Sequence, residues 1–234
     1  MNGSKNSLVP SFSHLAVLIL IAALVGTSCS VSHGGARHDQ AVARARKYDL
    51  VDVRGLVPGV QIDLRYGTRR NIAGRALYPS GMPCLLRKAT AEKLRQAQAM
   101  LVSQGYGIRI WDAWRPPEVH LLLLHHGGHT GMFQDIEGGW SRHSGGLCLD
   151  VTLVDQTGNE MRMPTGFDED FEHAGATYTG GDADIARNLA ILQRAMRAAG
   201  FSTVSREWWH FDDADFVNQG QRVIYASELG LPVL

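Results

Sequence analysis

Leu147-Cys148-Leu149-Asp150-Val151-Thr152-Leu153 alternates apolar residues with Cys148, Asp150 and Thr152, the period-two signature of a β-strand. Leu147, Leu149, Val151 and Leu153 share one face and belong to a core. Asp150 leaves that face and points into whatever cavity the other face borders. The preceding run, Gly138-Gly139-Trp140-Ser141-Arg142-His143-Ser144-Gly145-Gly146, is glycine-rich and reads as a loop, so His143 can fold back toward Asp150.

Working outward, Val60, Ile62, Leu64 and Tyr66 alternate against Gln61, Asp63 and Arg65 as a half-buried strand. Thr90 is placed to cap a helix whose Leu94, Ala97 and Leu101 share a face, with a stop near Gly105. Tyr106 to Trp111 reads as a strand that delivers Arg115 at its far end, and Pro116 or Pro117 can open a short helix. A further helix starts near Asp182 or Asp184, buries Ile185, Leu189, Leu192 and Met196, and stops at Gly200. A last strand carries Glu207 to His210. These elements give an α+β fold in a single domain.

Glu207-Trp208-Trp209-His210-Phe211, taken with His143 and Asp150, completes the inventory of a hydrolytic zinc site. Such a site needs three ligands, an open position for water and a carboxylate to take that water's proton. Two neutral imidazoles and one carboxylate leave Zn²⁺ with about one net positive charge, enough to bring its water toward a pKa of roughly 7. Glu207 reads better as general base than as fourth ligand, because a closed four-ligand shell makes a metal structural. In a regular strand Glu207 and His210 face opposite sides, so the chain must bend between them to bring both to one metal. Each residue also has a plainer role open to it: turn and hydrogen-bonding duty for His143 and Asp150, a surface carboxylate partner for Arg115. Trp111, Trp114, Trp208 and Trp209 read as core. His125 and His129 have the spacing of a helical metal pair, but Gly127-Gly128 weakens that helix, and the stretch from His120 to His129 reads as a solvated helix end.

The pattern Ser-x-His-x-x-Gly-x-x-x-Asp at Ser141 to Asp150, followed by Glu-Trp-Trp-His-Phe at Glu207 to Phe211, resembles the D-alanyl-D-alanine dipeptidases. These are zinc D,D-peptidases related to D,D-carboxypeptidases and, in fold, to the hedgehog signalling domain. Ile62-Asp63-Leu64-Arg65-Tyr66-Gly67-Thr68, the stretch from Asn71 to Tyr78 and Trp111-Asp112-Ala113-Trp114-Arg115-Pro116 extend the likeness to most of the chain from about Tyr48 onward. The resemblance implies a mainly antiparallel sheet flanked by helices, with one zinc ion per chain on one sheet face. It implies His143, Asp150 and His210 as ligands, Glu207 as catalytic base and Arg115 as the group that stabilises the oxyanion. Ser141 and Asp168 would bind the substrate amino terminus. Cys148 stands where the family usually carries a small residue, and the stretch His120 to His129 departs from the family pattern.

The amino terminus has a different character. Lys5 precedes an apolar run from Leu15 to Val25, which suits a secretory signal, and Val25-Gly26-Thr27-Ser28-Cys29 resembles a bacterial lipoprotein box. The expected organisation is a signal peptide at residues 1–28, a lipid anchor on Cys29 with a tether to residue 47, and a zinc dipeptidase domain at residues 48–234. This makes the protein exported and periplasmic, held at the membrane by its lipid. Lys and Arg total 23 and Asp and Glu total 23. That balance gives no electrostatic case for nucleic-acid binding. Lipidation of Cys29 would leave Cys84 and Cys148 as a possible oxidised pair.

The function expected from these features is zinc-dependent hydrolysis of the small D,D-dipeptide D-alanyl-D-alanine at the cell envelope. The competing enzyme is a D,D-carboxypeptidase or endopeptidase acting on peptidoglycan peptides. A third possibility is a non-catalytic wall-binding lipoprotein. The sequence does not address the oligomeric state.

Overall fold

The computed structural model describes residue 1 and residues 34–133, 135, 137, 139–216 and 222–232. Cys29 and the apolar run before it lie outside the described residues. The described elements run from helix α1 (residues 34–45) through β1 (Leu50–Asp52), a single turn α2 (Val53–Leu56), β2 (Gln61–Ile62) and β3 (Leu85–Arg87). It continues through α3 (Lys88–Val102), β4 (Tyr106–Asp112), α4 (Pro117–Gly127), β5 (Cys148–Asp155), α5 (Ala183–Ala198), β6 (Phe201–Thr203) and β7 (His210–Asp213).

Among the described residues, five strands make one sheet in the order β2-β4-β5-β7-β6, while β1 and β3 pair separately. Every pairing is antiparallel except β2 with β4. The fold is therefore a single-domain α+β structure with sheets flanked by helices. Leu149, Val151 and Leu153 of β5 join one apolar cluster with Leu94, Ala97 and Leu101 of α3 and Leu189, Leu192 and Met196 of α5. Each of the valine, leucine and methionine side chains among them contributes about 1.5–3 kcal/mol on burial. Asp150 is left on the opposite face, as the alternation requires.

Several elements differ from the sequence expectation. Residues 34–45, expected as part of a tether, form α1, and Ala41 and Ala45 are fully buried against Leu50, Leu85, Trp114 and Leu229. Alanines four apart make a small-residue stripe that lets a helix approach closely, a signal concealed by the polar residues around it. The strand expected from Val60 to Tyr66 shrinks to β2, because the chain turns at Arg65–Gly67. Thr90 lies inside the first turn of α3 rather than at its cap; its hydroxyl donates to Asp213 at 2.7 Å. Lys93 pairs with the same buried carboxylate, fixing α3 to β7. By contrast, Pro117 opens α4, and the Asp182 carboxylate caps α5 by accepting from the Asp184 and Ile185 amides at 2.9 and 3.2 Å.

Candidate active site

Sheet register builds the centre of the site. Asp112 on β4 lies opposite Asp150 on β5, which lies opposite His210 on β7, so three adjacent strands place these side chains in one row. An irregularity in the β4–β5 register between Ile110 and Asp112 restores Asp112 to the Asp150 face. His143 arrives from outside the sheet on a short helical turn, Arg142–Gly145, where the Ser141 hydroxyl caps the turn by accepting from the His143 amide. That turn closes at Gly146, with φ +71°, where a Cβ would meet Leu50 Cδ2 at 2.6 Å and the Arg87 backbone nitrogen at 3.3 Å. Only glycine meets both conditions without strain.

Glu207 precedes β7, and the chain bends at Trp208-Trp209 before the strand begins. The bend brings Glu207 Oε2 to 3.8 Å from His210 Nδ1 although the two residues are three apart. Trp208 and Trp209 hold the bend from the core: Trp208 meets Trp111 edge-on and Trp209 packs on Phe167. Both are buried, as expected, and Trp209 also faces the cavity described below.

Hydrogen bonds fix which imidazole nitrogens face inward. His143 Nδ1 lies 2.7 Å from the Ala113 carbonyl and so donates to it, leaving Nε2 for the cluster. His210 Nε2 lies 3.1 Å from Asp212 Oδ1, leaving Nδ1 inward. The two inward nitrogens are 3.3 Å apart. Asp150 bridges them, with Oδ1 at 3.0 Å from His210 Nδ1 and Oδ2 at 3.5 Å from His143 Nε2. Two imidazole lone pairs aimed at one point beside a carboxylate repel unless a proton or a cation lies between them. His143, Asp150, Glu207 and His210 thus fit a metal ion, and Asp150, Glu207 and His210 all offer ligand atoms within 4.8 Å of one another. The second carboxylate against each histidine, Asp212 on His210 and Asp112 at 3.4 Å from His143 Nδ1, is the orienting partner that metal-bound histidines usually have.

Charge in the cluster is strongly coupled. Burial and the Arg115 guanidinium oppose the imidazolium form of His143. Cys148, Asp150 and Asp112 outweigh them and push it up to about 10. Burial works against the Asp150 carboxylate too, yet the two histidines hold it well below the usual carboxylate range. Glu207 is pushed up, chiefly by burial and then by Asp150, against the pull of His210 and Arg115. The site therefore demands positive charge, which a cation supplies.

Arg115 is buried beside this cluster. Its Nε donates to Asp112 Oδ2 at 2.7 Å, its Nη2 reaches Asp150 Oδ2 at 3.4 Å and its guanidinium lies over the Tyr66 ring. The surface carboxylate considered for it from sequence is thus a buried one. A cavity of about 290 Å³ opens on the cluster, walled by Arg115, Ser141, Asp168, Glu207 and Trp209. Asp168 sits in left-handed backbone (φ +57°) and accepts from the Tyr66 hydroxyl at 3.4 Å and the Ile72 amide at 3.3 Å. Burial, against the pull of Arg115, raises it to about 7. His120 is buried and lines the same cavity, a correction to its reading as part of a solvated helix end. His125 and His129 are exposed, and among the described residues neither joins a metal-grade cluster. Cys84 and Cys148 are both free and buried.

Sequence reasoning missed Asp112, Asp212 and Tyr66. Asp112 was visible three residues before Arg115, and Asp212 two residues after His210 on the same strand face, where period two places it.

A sequence model of the D-ala-D-ala dipeptidase family matches residues 46–126 and 134–227. The chain belongs to that family. The matched blocks contain Arg115, Ser141, His143, Asp150, Asp168, Glu207 and His210, and they break within the glycine- and histidine-rich stretch. The D-alanyl-D-alanine dipeptidase of Escherichia coli K12 is 34% identical over 164 residues, covering 70% of this chain and 84% of the relative. That of Enterococcus faecalis V583 is 30% identical over 176 residues (67% and 87%), and that of Enterococcus faecium 29% over 175 residues (67% and 87%). D-Ala-D-Ala dipeptidase family membership makes the chain a peptidase.

Proposed function

We propose that this protein is a zinc-dependent D-alanyl-D-alanine dipeptidase, exported to the cell envelope and anchored there by lipid on Cys29. The observation that carries the proposal is the facing pair of imidazole nitrogens 3.3 Å apart, bridged by Asp150 and flanked by Glu207. Zinc held by His143, Asp150 and His210 supplies Lewis acidity at the scissile carbonyl and acidifies water.

The protein's own groups do the rest. Glu207 takes the proton of the attacking water and returns it to the leaving amine. Arg115, fixed by Asp112 and the Tyr66 ring, meets the negative charge that develops on the carbonyl oxygen, and its preorganisation avoids reorientation during the reaction. Asp168, with Ser141 on the cavity wall, accepts the substrate ammonium group. A volume of about 290 Å³ lies at the small end of ligand cavities, which run from about 300 to 1,000 Å³, and suits a dipeptide better than a wall peptide. Arg206 reinforces that limit by donating to the Gly131 carbonyl at 2.5 Å, which ties the loop after α4 to the loop before Glu207.

The test is to incubate zinc-loaded protein with D-alanyl-D-alanine, with its L,L counterpart and with a pentapeptide ending in D-alanyl-D-alanine. The free D,D-dipeptide is expected to win by orders of magnitude. Preferential trimming of the pentapeptide would transfer the activity to the D,D-carboxypeptidase class. No cleavage of any of the three by folded protein would make it a wall-binding module.

A further inference from the structure

Residues 127–133 run on from the last residue of α4 and fall between the two stretches that the family pattern matches. Two of them, Met132 and Phe133, nevertheless line the catalytic cavity. That part of the wall is therefore this chain's own.

The segment is held along its length. A Cβ at Gly127 would lie 2.6 Å from Phe133 Cε2 and 2.6 Å from Ile72 Cδ1, so the phenyl ring and the isoleucine side chain meet over the end of the helix, where only glycine leaves room. The Thr130 hydroxyl donates to the Gly127 carbonyl at 2.6 Å and accepts from the Met132 amide at 3.2 Å. Arg206 ties down Gly131 between them. Phe133 and Ile72 also pack on the main hydrophobic cluster, so the ring is a fixed wall.

Ile72 places that wall relative to the substrate. Its amide donates to Asp168 at 3.3 Å, and Asp168 is the proposed acceptor of the substrate ammonium group. In a dipeptide the carbon that bears the ammonium group also bears the amino-terminal side chain, so what flanks the ammonium subsite flanks that side chain. The carboxy-terminal side chain lies beyond the scissile bond.

We propose that Phe133 is a specificity-determining residue, the wall that restricts the amino-terminal residue of the dipeptide to a side chain as small as that of alanine. The inference rests on the dipeptidase reading above, with Asp168 at the ammonium group. A close-packed ring admits a methyl group and clashes with a branched aliphatic side chain, and this clash is the source of the selectivity.

The test compares kcat/KM of the zinc-loaded wild type, Phe133→Ala and Phe133→Leu on D-alanyl-D-alanine, D-leucyl-D-alanine and D-alanyl-D-leucine. A ratio between two substrates does not depend on how much of the enzyme is active, so general damage cancels. The ratio of D-leucyl-D-alanine to D-alanyl-D-alanine should rise at least about tenfold in Phe133→Ala and at least about threefold in Phe133→Leu, because a single methylene in an apolar pocket is worth about 10- to 200-fold. The ratio of D-alanyl-D-leucine to D-alanyl-D-alanine should stay within about twofold of the wild type. Circular dichroism shows whether each variant is folded; Phe133→Leu, which keeps an apolar side chain against the core, decides the matter if Phe133→Ala is not. A wild type that cleaves D-leucyl-D-alanine as well as D-alanyl-D-alanine, unchanged ratios in the folded variants, or an equal gain for D-alanyl-D-leucine would overturn the assignment of Phe133 and leave the dipeptidase reading standing. Folded, zinc-loaded wild type that cleaves none of the three would overturn both.

Discussion

Replacing Asp168 by asparagine should stabilise the metal-free protein near pH 8 while weakening substrate binding. The carboxyl is raised from 3.8 to about 7, with burial the leading cause. Three units at 1.36 kcal/mol each set a ceiling of about 4 kcal/mol. Asp168 keeps partial contact with water at the cavity wall, and screening there reduces the expected effect to roughly 1–2 kcal/mol. The sign follows from proton binding. The folded carboxyl keeps its proton up to about pH 7, whereas the unfolded one releases it near pH 4, so this group's contribution is full below pH 4 and lost as pH rises through 7. Asparagine has no charge to desolvate and shows no such loss. Urea unfolding of both proteins from pH 4 to 8 should give a stability difference that moves toward the variant across that window. Function should move the other way: the ionised carboxylate pairs with the dipeptide's ammonium group, so wild-type kcat/KM climbs with pH through about 7. The variant loses this limb, and its KM rises about 10- to 100-fold with the charge-assisted hydrogen bond. A variant with unchanged KM and a stability difference that stays flat with pH would refute this account of Asp168.

Three further outcomes are expected. Glu207→Ala retains metal and fold but loses roughly 10²–10⁴-fold in turnover, measured as D-alanine released, and near-normal activity would reassign the base. His210→Ala removes one inward nitrogen of the facing pair, so elemental analysis should show strongly reduced zinc; undiminished zinc would reject the ligand set. On the proposed lipid anchor, Cys29→Ser is expected to release the protein from membranes on fractionation, and unchanged membrane association would assign attachment to another segment.

The central strand was legible because its alternation is complete from Leu147 to Leu153 and because its loop carries glycine where φ must be positive. The bend between Glu207 and His210 was legible as a requirement, since a straight strand cannot aim both at one point, but not in its means. Two tryptophans buried against Trp111 and Phe167 supply it, and such long-range contacts leave no local pattern. The pairing of Asp112 with Asp150 was hidden for the same reason: it depends on register between strands far apart in sequence. Helix α1 escaped notice because its buried stripe is made of alanines, which carry little hydropathy signal in a run of arginine, histidine and aspartate. Thr90 misled because its residue type favours a cap, while its hydroxyl is engaged by Asp213 from another element.

The most direct test of the central claim is to follow D-alanine release from D-alanyl-D-alanine by the purified protein before chelation, after chelation and after zinc is restored. The account predicts turnover that falls to background with the chelator and returns on addition of about one zinc per chain, with the fold unchanged by circular dichroism. Full activity in metal-free protein, or no activity in folded protein carrying one zinc, would contradict it.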